Sequence, residues 1–447
     1  MKIIKEINKS IINKNISQSA FFDYIYMYPP RQSYYDLKSY DVDFLITKSL
    51  KKFNDVNIYF HIPFCNQTCS YCNIYTIPHN SNIYNCYINA LKNEFLIYTD
   101  ALSSRRVKTI YFGGGTPSLL NVKYIDELLI TVRKFLGIDL LSVDEISLEV
   151  SPETISFDKF VNYKNIGINR VNIGLQTHNN VELKAINRAY NSKINKDAIE
   201  IIKKIGFKNV CIDLIYGLKN QSFLSWKYSL EMVLDYSPET ICIYPLTLRP
   251  STIFDIMGYN EINGKEQYIK YDYAREKLLK EGYRQETHVR FIKNEKGGYL
   301  QKENHWKMQN ILGFGAGARS YLWECDTRNG YSLKNRKKVL NEYVLNIRNY
   351  SSPITDGFLM TDDERMRKAV ILGLFDLDCD WFNSLFGINL MSYFEYEFNV
   401  LFSMKLINEL DDKIFLTDKG IRHRDLIVQL FFSEKVKKIV SDYKYDD

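Results

Sequence analysis

No stretch of this 447-residue chain approaches the roughly 18 consecutive apolar residues that a membrane-spanning helix needs, so no spanning segment is expected. The opening MKIIKEINKSIINK carries lysines but no uninterrupted apolar core followed by a small-residue cleavage site, so the protein reads as cytoplasmic. Blocks of one charge sign are also missing. The 59 basic and 53 acidic residues are interspersed, and their net charge of +6 marks no nucleic-acid or lipid surface. Cysteine is scarce: eight in the whole chain cannot frame a secreted disulfide scaffold, and three of them fall between positions 65 and 72. That grouping suits metal ligands in a reducing compartment. Tyr, Asn, Ile and Lys are plentiful but spread along the whole chain, so they speak of coding bias rather than of function.

No repeat and no Pro/Gly/Ser linker divides the chain, and its length favours one large domain with smaller appendages. Short apolar runs at 58–62, 109–112, 146–150, 170–174, 210–215 and 240–245 predict strands, each followed by a stretch long enough for a crossover helix. The expected fold is α/β: a partial, TIM-like (β/α)6 barrel with a small C-terminal helical or winged-helix domain. The expected divisions are an extension over 1–54, the barrel over 55–285, a post-barrel segment over 286–357 and the C-terminal domain over 358–447. Within the last, 362–374, 392–404 and 418–432 predict helices bracketing a strand turn at 406–416. The final helix is mostly apolar, which favours packing on the barrel over binding DNA.

In such arrays the chemistry lies on loops at the C-terminal strand ends. Here those ends carry the Cys65–Cys72 loop, Gly113–Gly114–Gly115, Glu149, Gln176 and Asp213. Cys65-Asn-Gln-Thr-Cys69-Ser-Tyr-Cys72 sets three thiolates on one short loop, able to ligate three irons of a cubane and leave the fourth open. The amine and carboxylate of S-adenosylmethionine (SAM) form a chelate that suits such an iron. Zinc is the rival, and its nearest fourth ligand would be His79. Tyr71 stands where it could stack near adenine or simply pack the loop. Gly113-Gly114-Gly115-Thr116-Pro117 lets a ligand approach the backbone closely and lacks the Gly-Lys-Ser/Thr of a phosphate loop.

Together with Tyr59-Phe60-His61-Ile62-Pro63-Phe64-Cys65, Leu148–Glu153, Asn172–Gln176, Ile212–Leu218 and Gly313–Ala318, these motifs resemble the radical SAM superfamily. The resemblance is to its branch typified by oxygen-independent coproporphyrinogen III oxidase, and it runs from about Tyr24 to the C-terminus. It implies a [4Fe–4S] cluster on Cys65, Cys69 and Cys72 and a SAM molecule that is cleaved reductively to a 5′-deoxyadenosyl radical. It also implies that Tyr59 lies beside the sulfonium, that Gly113–Gly115 and Thr116 meet the methionyl end, and that Glu149, Gln176, Arg188 and Asp213 hold the rest. A second SAM is allowed by the branch, with Gly315, Ala316 and Tyr59 as its candidate contacts. A small-molecule substrate and an electron donor such as flavodoxin or ferredoxin are the implied partners.

Departures from the oxidase bear on the reaction. Its further cysteine, two residues past the third cluster cysteine, is Ile74 here, and the segments 28–32 and 304–306 differ as well. The motifs at 72–76 and 244–250 point to a separate subgroup. Two readings follow: a radical SAM enzyme acting on a conjugated, porphyrin-like substrate by oxidative decarboxylation or methyl transfer, or a haem-binding and haem-delivering relative. His288 and His305 are then candidate iron ligands, and Arg249, Arg290 and Arg319 candidate carboxylate anchors. A decayed, non-enzymatic scaffold finds no support in the motifs. Cys86, Cys211, Cys242, Cys325 and Cys379 are assigned to packing.

Overall fold

The computed structural model describes residues 25, 27–259, 264–293 and 297–443; the MKIIKEINKSIINK segment and Tyr24 lie outside the described residues. Its centre is a run of parallel strands: β1 (Asp55–Ile62), β2 (Arg106–Gly114), β3 (Glu145–Val150), β4 (Arg170–Gln176), β5 (Asn209–Tyr216) and β6 (Thr240–Pro245). These are the six expected strands. A seventh, β7 (Ile311–Phe314), pairs parallel with β1 on its other side. The expectation treated that stretch as a glycine motif after the barrel, because four residues, two of them flanked by glycine, give too short an apolar run to read as a strand.

Antiparallel strands extend both edges. Arg290–Ile292 and Arg284–Gln285 lie beyond β6, while Arg319–Tyr321, Cys325–Asn329, Ile354–Leu359 and Tyr35–Asp36 lie beyond β7. The result is an open, 13-stranded α/β sheet among the described residues. The post-barrel segment and Tyr35–Asp36 are thereby woven into the barrel's own sheet.

Between strands, local chemistry sets the helices. Asn121 accepts from the Lys123 amide to start Val122–Leu136, and Gly137, left-handed at φ 64°, ends it. Asn191 and Gly206 do the same for Ser192–Ile205. The strands alternate in character with period two. Phe60, Phe112 and Phe314, on neighbouring strands, point to the helix side, where Phe60 stacks on Phe112 at 5.4 Å and Phe95 packs on Phe314 at the same distance. The opposite face is polar: the Thr109 hydroxyl donates to Asn57 at 2.8 Å, Tyr111 to Glu149 at 2.8 Å and the Asn172 amide to Asp213 at 2.8 Å.

The C-terminal unit holds a three-stranded sheet of Leu377–Asp378, Lys413–Leu416 and Ile407–Leu410, set among helices. Two long expected helices are each broken in two, at Phe394 and at His423, whose backbones leave helical geometry. Ile427 and Val428 on the last long segment are buried, and ion pairs Arg275–Asp418 (2.6 Å) and Arg422–Asp272 (2.7 Å) dock the unit on the helix Gly264–Lys280. That helix therefore packs inward, as its apolar pattern requires.

One buried carboxylate ties β7 to the barrel. Glu94, on helix Tyr84–Ile97, accepts from the Gly315 amide, the Tyr343 hydroxyl and the Asn329 side chain, all at 2.7 Å. Burial pushes its pKa up to about 7, against these hydrogen bonds. Because the folded value lies above the unfolded one of about 4.3, the group's stabilisation is complete below that pH and is lost as pH rises through about 7. Urea denaturation of Glu94→Gln is expected to lose that slope between pH 4.5 and 7, and to cost about 1–3 kcal/mol through mismatched donors.

Candidate functional site

The cysteine loop is fixed by backbone hydrogen bonds. Phe64–Cys65 pairs with Ile77–Pro78, the His79 amide donates to Cys65 O at 2.8 Å, and Ser70 N donates to Ile186 O at 3.1 Å. Asn187, itself left-handed at φ 59°, donates its side-chain amide to Thr68 O at 2.8 Å. Cys65, Cys69 and Cys72 all line one cavity of about 670 Å³. His79 is absent from that lining and its ring nitrogen is engaged by Tyr84, so the suggested fourth zinc ligand is not brought to the thiols.

The donor set itself also argues against a single zinc ion. Among the described residues, the compact group of metal-type donors within 4.8 Å of one another is Cys211, Asp213 and Cys242, and the three loop cysteines form no such group. Thiolates around one tetrahedral zinc would stand about 3.8 Å apart. The wider spread fits a polynuclear cluster. Burial pushes the Cys65 thiol up to about 12 and Cys72 to about 11, so coordination to cationic iron would be needed to hold them as thiolates.

The glycine ridge meets this loop directly. A Cβ on Gly115 would fall 2.7 Å from the Pro63 and Phe64 backbone, and one on Gly114, at φ 115°, 2.5 Å from the His61 ring. The expectation had ridge amides facing a ligand. Instead Gly114 N donates to Glu149 at 2.8 Å, Gly115 N to Ile62 O at 2.8 Å and Thr116 N to Phe64 O at 2.8 Å. What the ridge offers a ligand is its carbonyl oxygens and its lack of side chains. Glu149 is thus an internal brace as well as a wall residue, and burial raises its pKa.

Arg188 crosses the same wall. It donates to Gly174 O at 2.7 Å, Tyr190 Oη at 2.5 Å and Ser151 Oγ at 3.4 Å, while its buried Nε has no hydrogen-bond partner. Gly174 makes room for it: an added Cβ there would sit 2.6 Å from Gln176 Nε2 and 3.4 Å from Arg188 Nη2. Gln176 occupies a left-handed backbone at φ 68°, an uncommon state for a non-glycine residue that clusters at functional sites. Asp213 accepts from Asn172, and its burial raises its pKa. Tyr71 and Arg249 complete the wall beside the thiols. Sequence reading missed Tyr190, an ordinary polar residue without a motif of its own, and did not single out Asn172 and Ser151 within the motifs that contain them.

Several expected residues stand elsewhere. Gly113 and Tyr59 do not line the larger cavity: Tyr59 donates to His61 Nδ1 at 2.9 Å and faces a second cavity of about 220 Å³, with His61 Nε2 donating to Tyr75 O at 2.8 Å. Gly315 and Ala316 line neither, because their amides donate to Glu94 and to the Tyr87 hydroxyl. His305 and Arg319 face the second cavity. His288 stacks on Phe375, and Arg290 is paired with Glu286 beneath Trp306, so neither reaches a cavity. Cys211 and Cys242, assigned to packing, prove to be neighbours, with sulfurs 3.7 Å apart.

Residues 59–233 match the radical SAM superfamily model. The heme chaperone HemW of Buchnera aphidicola subsp. Schizaphis graminum is 32% identical over 323 residues, 68% of this chain and 85% of that one. Bacillus subtilis HemW is 28% identical over 81% of this chain and 95% of its own. The oxygen-independent coproporphyrinogen III oxidase of Escherichia coli K12 is 25% identical over 82% of this chain and 81% of its own. The solved structure of E. coli coproporphyrinogen III oxidase (HemN) superposes with a TM-score of 0.78 over 93% of this chain and 99% of that one, at 23% identity, which establishes the shared fold. No helix among the described residues is long and apolar enough to cross a membrane. The chain belongs to the radical SAM superfamily, whose members use a [4Fe–4S] cluster and SAM, and within it to the branch of HemW and HemN.

Proposed function

We propose that this chain is a haem-handling member of the branch: it binds haem and keeps, in the larger cavity, a [4Fe–4S] cluster on Cys65, Cys69 and Cys72 with SAM beside it. The observation that carries the cofactor assignment is the single cavity lined by all three cysteines together with Glu149, Gln176, Arg188 and Asp213. Haem as cargo draws support from the HemW relatives, which are named heme chaperones, and from Ile74 at the position where the oxidase has a further cysteine.

Bound there, the cluster supplies a low-potential electron and SAM a source of the 5′-deoxyadenosyl radical. The chain's residues orient and shield. Carbonyls of Gly114 and Gly115 would accept from the methionyl ammonium, Arg188 would donate to its carboxylate, Asp213 and Gln176 would bond the nucleoside, and Tyr71 would cover adenine. Thr116, whose hydroxyl lies 3.5 Å from Cys65 Sγ, would steady that sulfur. Tyr59, held by His61, would back the ridge from the other side. Reducing equivalents would come from a flavodoxin- or ferredoxin-type donor.

A second reading is turnover of a tetrapyrrole by oxidative decarboxylation or methyl transfer. The wall of the larger cavity favours it, since Glu149, Gln176, Arg188 and Asp213 all line it beside the three cysteines. Two measurements check these assignments. Haem titration of the reconstituted protein is expected to give a red-shifted Soret band saturating at one haem per chain, and an unshifted band at all concentrations would remove the haem reading. Under anaerobic dithionite with SAM, wild type is expected to form 5′-deoxyadenosine. Cys69→Ala should lose at least 100-fold of that yield and most of its iron; equal yields would contradict the cluster assignment.

A further inference from the structure

A second sulfur-bearing group lies inside the barrel, away from the cysteine loop. Cys211 and Asp213 stand two residues apart on β5, so they share its inner face, and the register pairs Asp213 with Cys242 on β6. Cys211 Sγ is 3.7 Å from Cys242 Sγ and 3.8 Å from Asp213 Oδ1. One donor atom from each of these residues falls within 4.8 Å of the other two, and both thiols are buried. The other carboxylate oxygen, Oδ2, accepts from Asn172 at 2.8 Å. Asp213 lines the larger cavity whereas Cys211 and Cys242 do not, so the trio sits behind the SAM wall.

Distances decide what such a trio can do. A disulfide fits poorly. Cys211 is in register with Thr240, so Cys242 lies two positions further along the neighbouring strand. On strands about 4.8 Å apart that offset separates the Cα atoms by roughly 8 Å, beyond the roughly 7 Å that a disulfide spans. A bridging ion fits well. Bonds of about 2.3 Å to sulfur and about 2.0–2.2 Å to a carboxylate oxygen, spread tetrahedrally, set two sulfurs about 3.8 Å apart and sulfur and oxygen about 3.6 Å apart. The observed 3.7 and 3.8 Å match both edges. Thiols in plain contact also approach this closely; the carboxylate oxygen at the third corner is what separates a donor set from packing.

Charge points the same way. Two thiolates and a carboxylate around a dication leave one net negative charge. The guanidinium of Arg170 acts on Cys211 and Asp213, and that of Arg290 on Cys242, which favours that charge although each arginine also pairs with a glutamate, Glu145 and Glu286 respectively.

We infer that Cys211, Cys242 and Asp213 form a binding site for a single zinc ion, with water in its fourth position. The carboxylate selects zinc over cuprous copper, which is served by soft sulfur ligands. Filled, the site clamps β5 to β6 behind the SAM wall. The inference stands apart from the haem reading and shares only Asp213 with the residues assigned to SAM.

The test adds zinc chloride, equimolar with the chain, to protein whose iron–sulfur cluster has been rebuilt anaerobically, and then passes it through metal-free buffer. Elemental analysis is expected to find about one zinc per chain besides the iron of the cluster, and zinc K-edge absorption to show two sulfurs at about 2.3 Å with oxygen at about 2.0 Å. Cys211→Ala and Cys242→Ala should each lose at least about tenfold in zinc affinity while keeping their iron, which also certifies that they fold. Cys86→Ala, at an exposed cysteine, should bind zinc as wild type does. Zinc should raise the melting temperature of wild type and of neither buried-cysteine variant, because a ligand of the folded state alone stabilises it. Should one variant fail to hold iron, the other variant and the wild-type absorption spectrum decide. Only trace zinc in wild type would overturn the site. So would a three-sulfur shell, or zinc that Cys242→Ala keeps and Cys69→Ala loses, since either result puts the ion on the cluster loop. Failure of Cys211 and Cys242 to alkylate after denaturation of air-exposed wild type, with no zinc bound, would make the pair a disulfide and overturn the metal site.

Discussion

The contact on which the rest of the site depends is the backbone weld between the start of the cysteine loop and the glycine ridge. Gly115 N donates to Ile62 O and Thr116 N to Phe64 O, each at 2.8 Å, so two chain segments some fifty residues apart run as one surface. A side chain at 115 would strike the Pro63 and Phe64 backbone at 2.7 Å. Glu149 locks the ridge from the next strand, accepting from Gly114 N and Tyr111 together. The first thiol is thus placed by backbone, and backbone geometry varies less than any side-chain rotamer. The other two thiols hang on the return of the loop, where Asn187 and Ile186 hold it to the far wall next to Arg188.

Strand periodicity explains why so many polar groups converge there. Each parallel strand buries aromatic or branched residues against the helices and turns its alternate positions inward. On the inner face Tyr59, Tyr111, Glu149, Asn172, Asp213 and Tyr244 follow one another from strand to strand, paired by register as Tyr59 with Tyr111, Glu149 with Asn172, and Gly174 with Asp213. Their burial is compensated by hydrogen bonds between neighbours, as buried polar groups require. A few buried atoms stay unmatched, among them Arg188 Nε and the His305 ring nitrogens, on residues that line the two cavities.

Much of this was legible in the chain. Six β/α units, the loop of three cysteines, the ridge, Glu149, Gln176 and Asp213 stand where pattern and resemblance put them, because strand ends and motif loops are local in sequence. What was hidden depends on distant partners. β7 is too short to announce itself and becomes a strand only by pairing with β1. Gly315 and Ala316 stood as candidate contacts of a second SAM, but Glu94 and Tyr87, from a helix more than 200 residues earlier, accept from their amides. Cys211 and Cys242 share no ligand spacing, yet lie on adjacent strands with sulfurs 3.7 Å apart. The second cavity likewise joins Tyr59, Asn73, Lys302 and Arg319, four segments with no common motif.

The account's central claim is that three thiols of one loop hold an iron–sulfur cluster whose open iron takes SAM in the walled cavity. Electron paramagnetic resonance of the dithionite-reduced protein, recorded with and without SAM carrying ¹⁵N in its amine and ¹⁷O in its carboxylate, tests that claim most directly. The account predicts a spectrum of a reduced [4Fe–4S] cluster that shifts on adding SAM and gains hyperfine coupling to both labels. A reduced cluster whose spectrum is unchanged by SAM and carries neither coupling would contradict it.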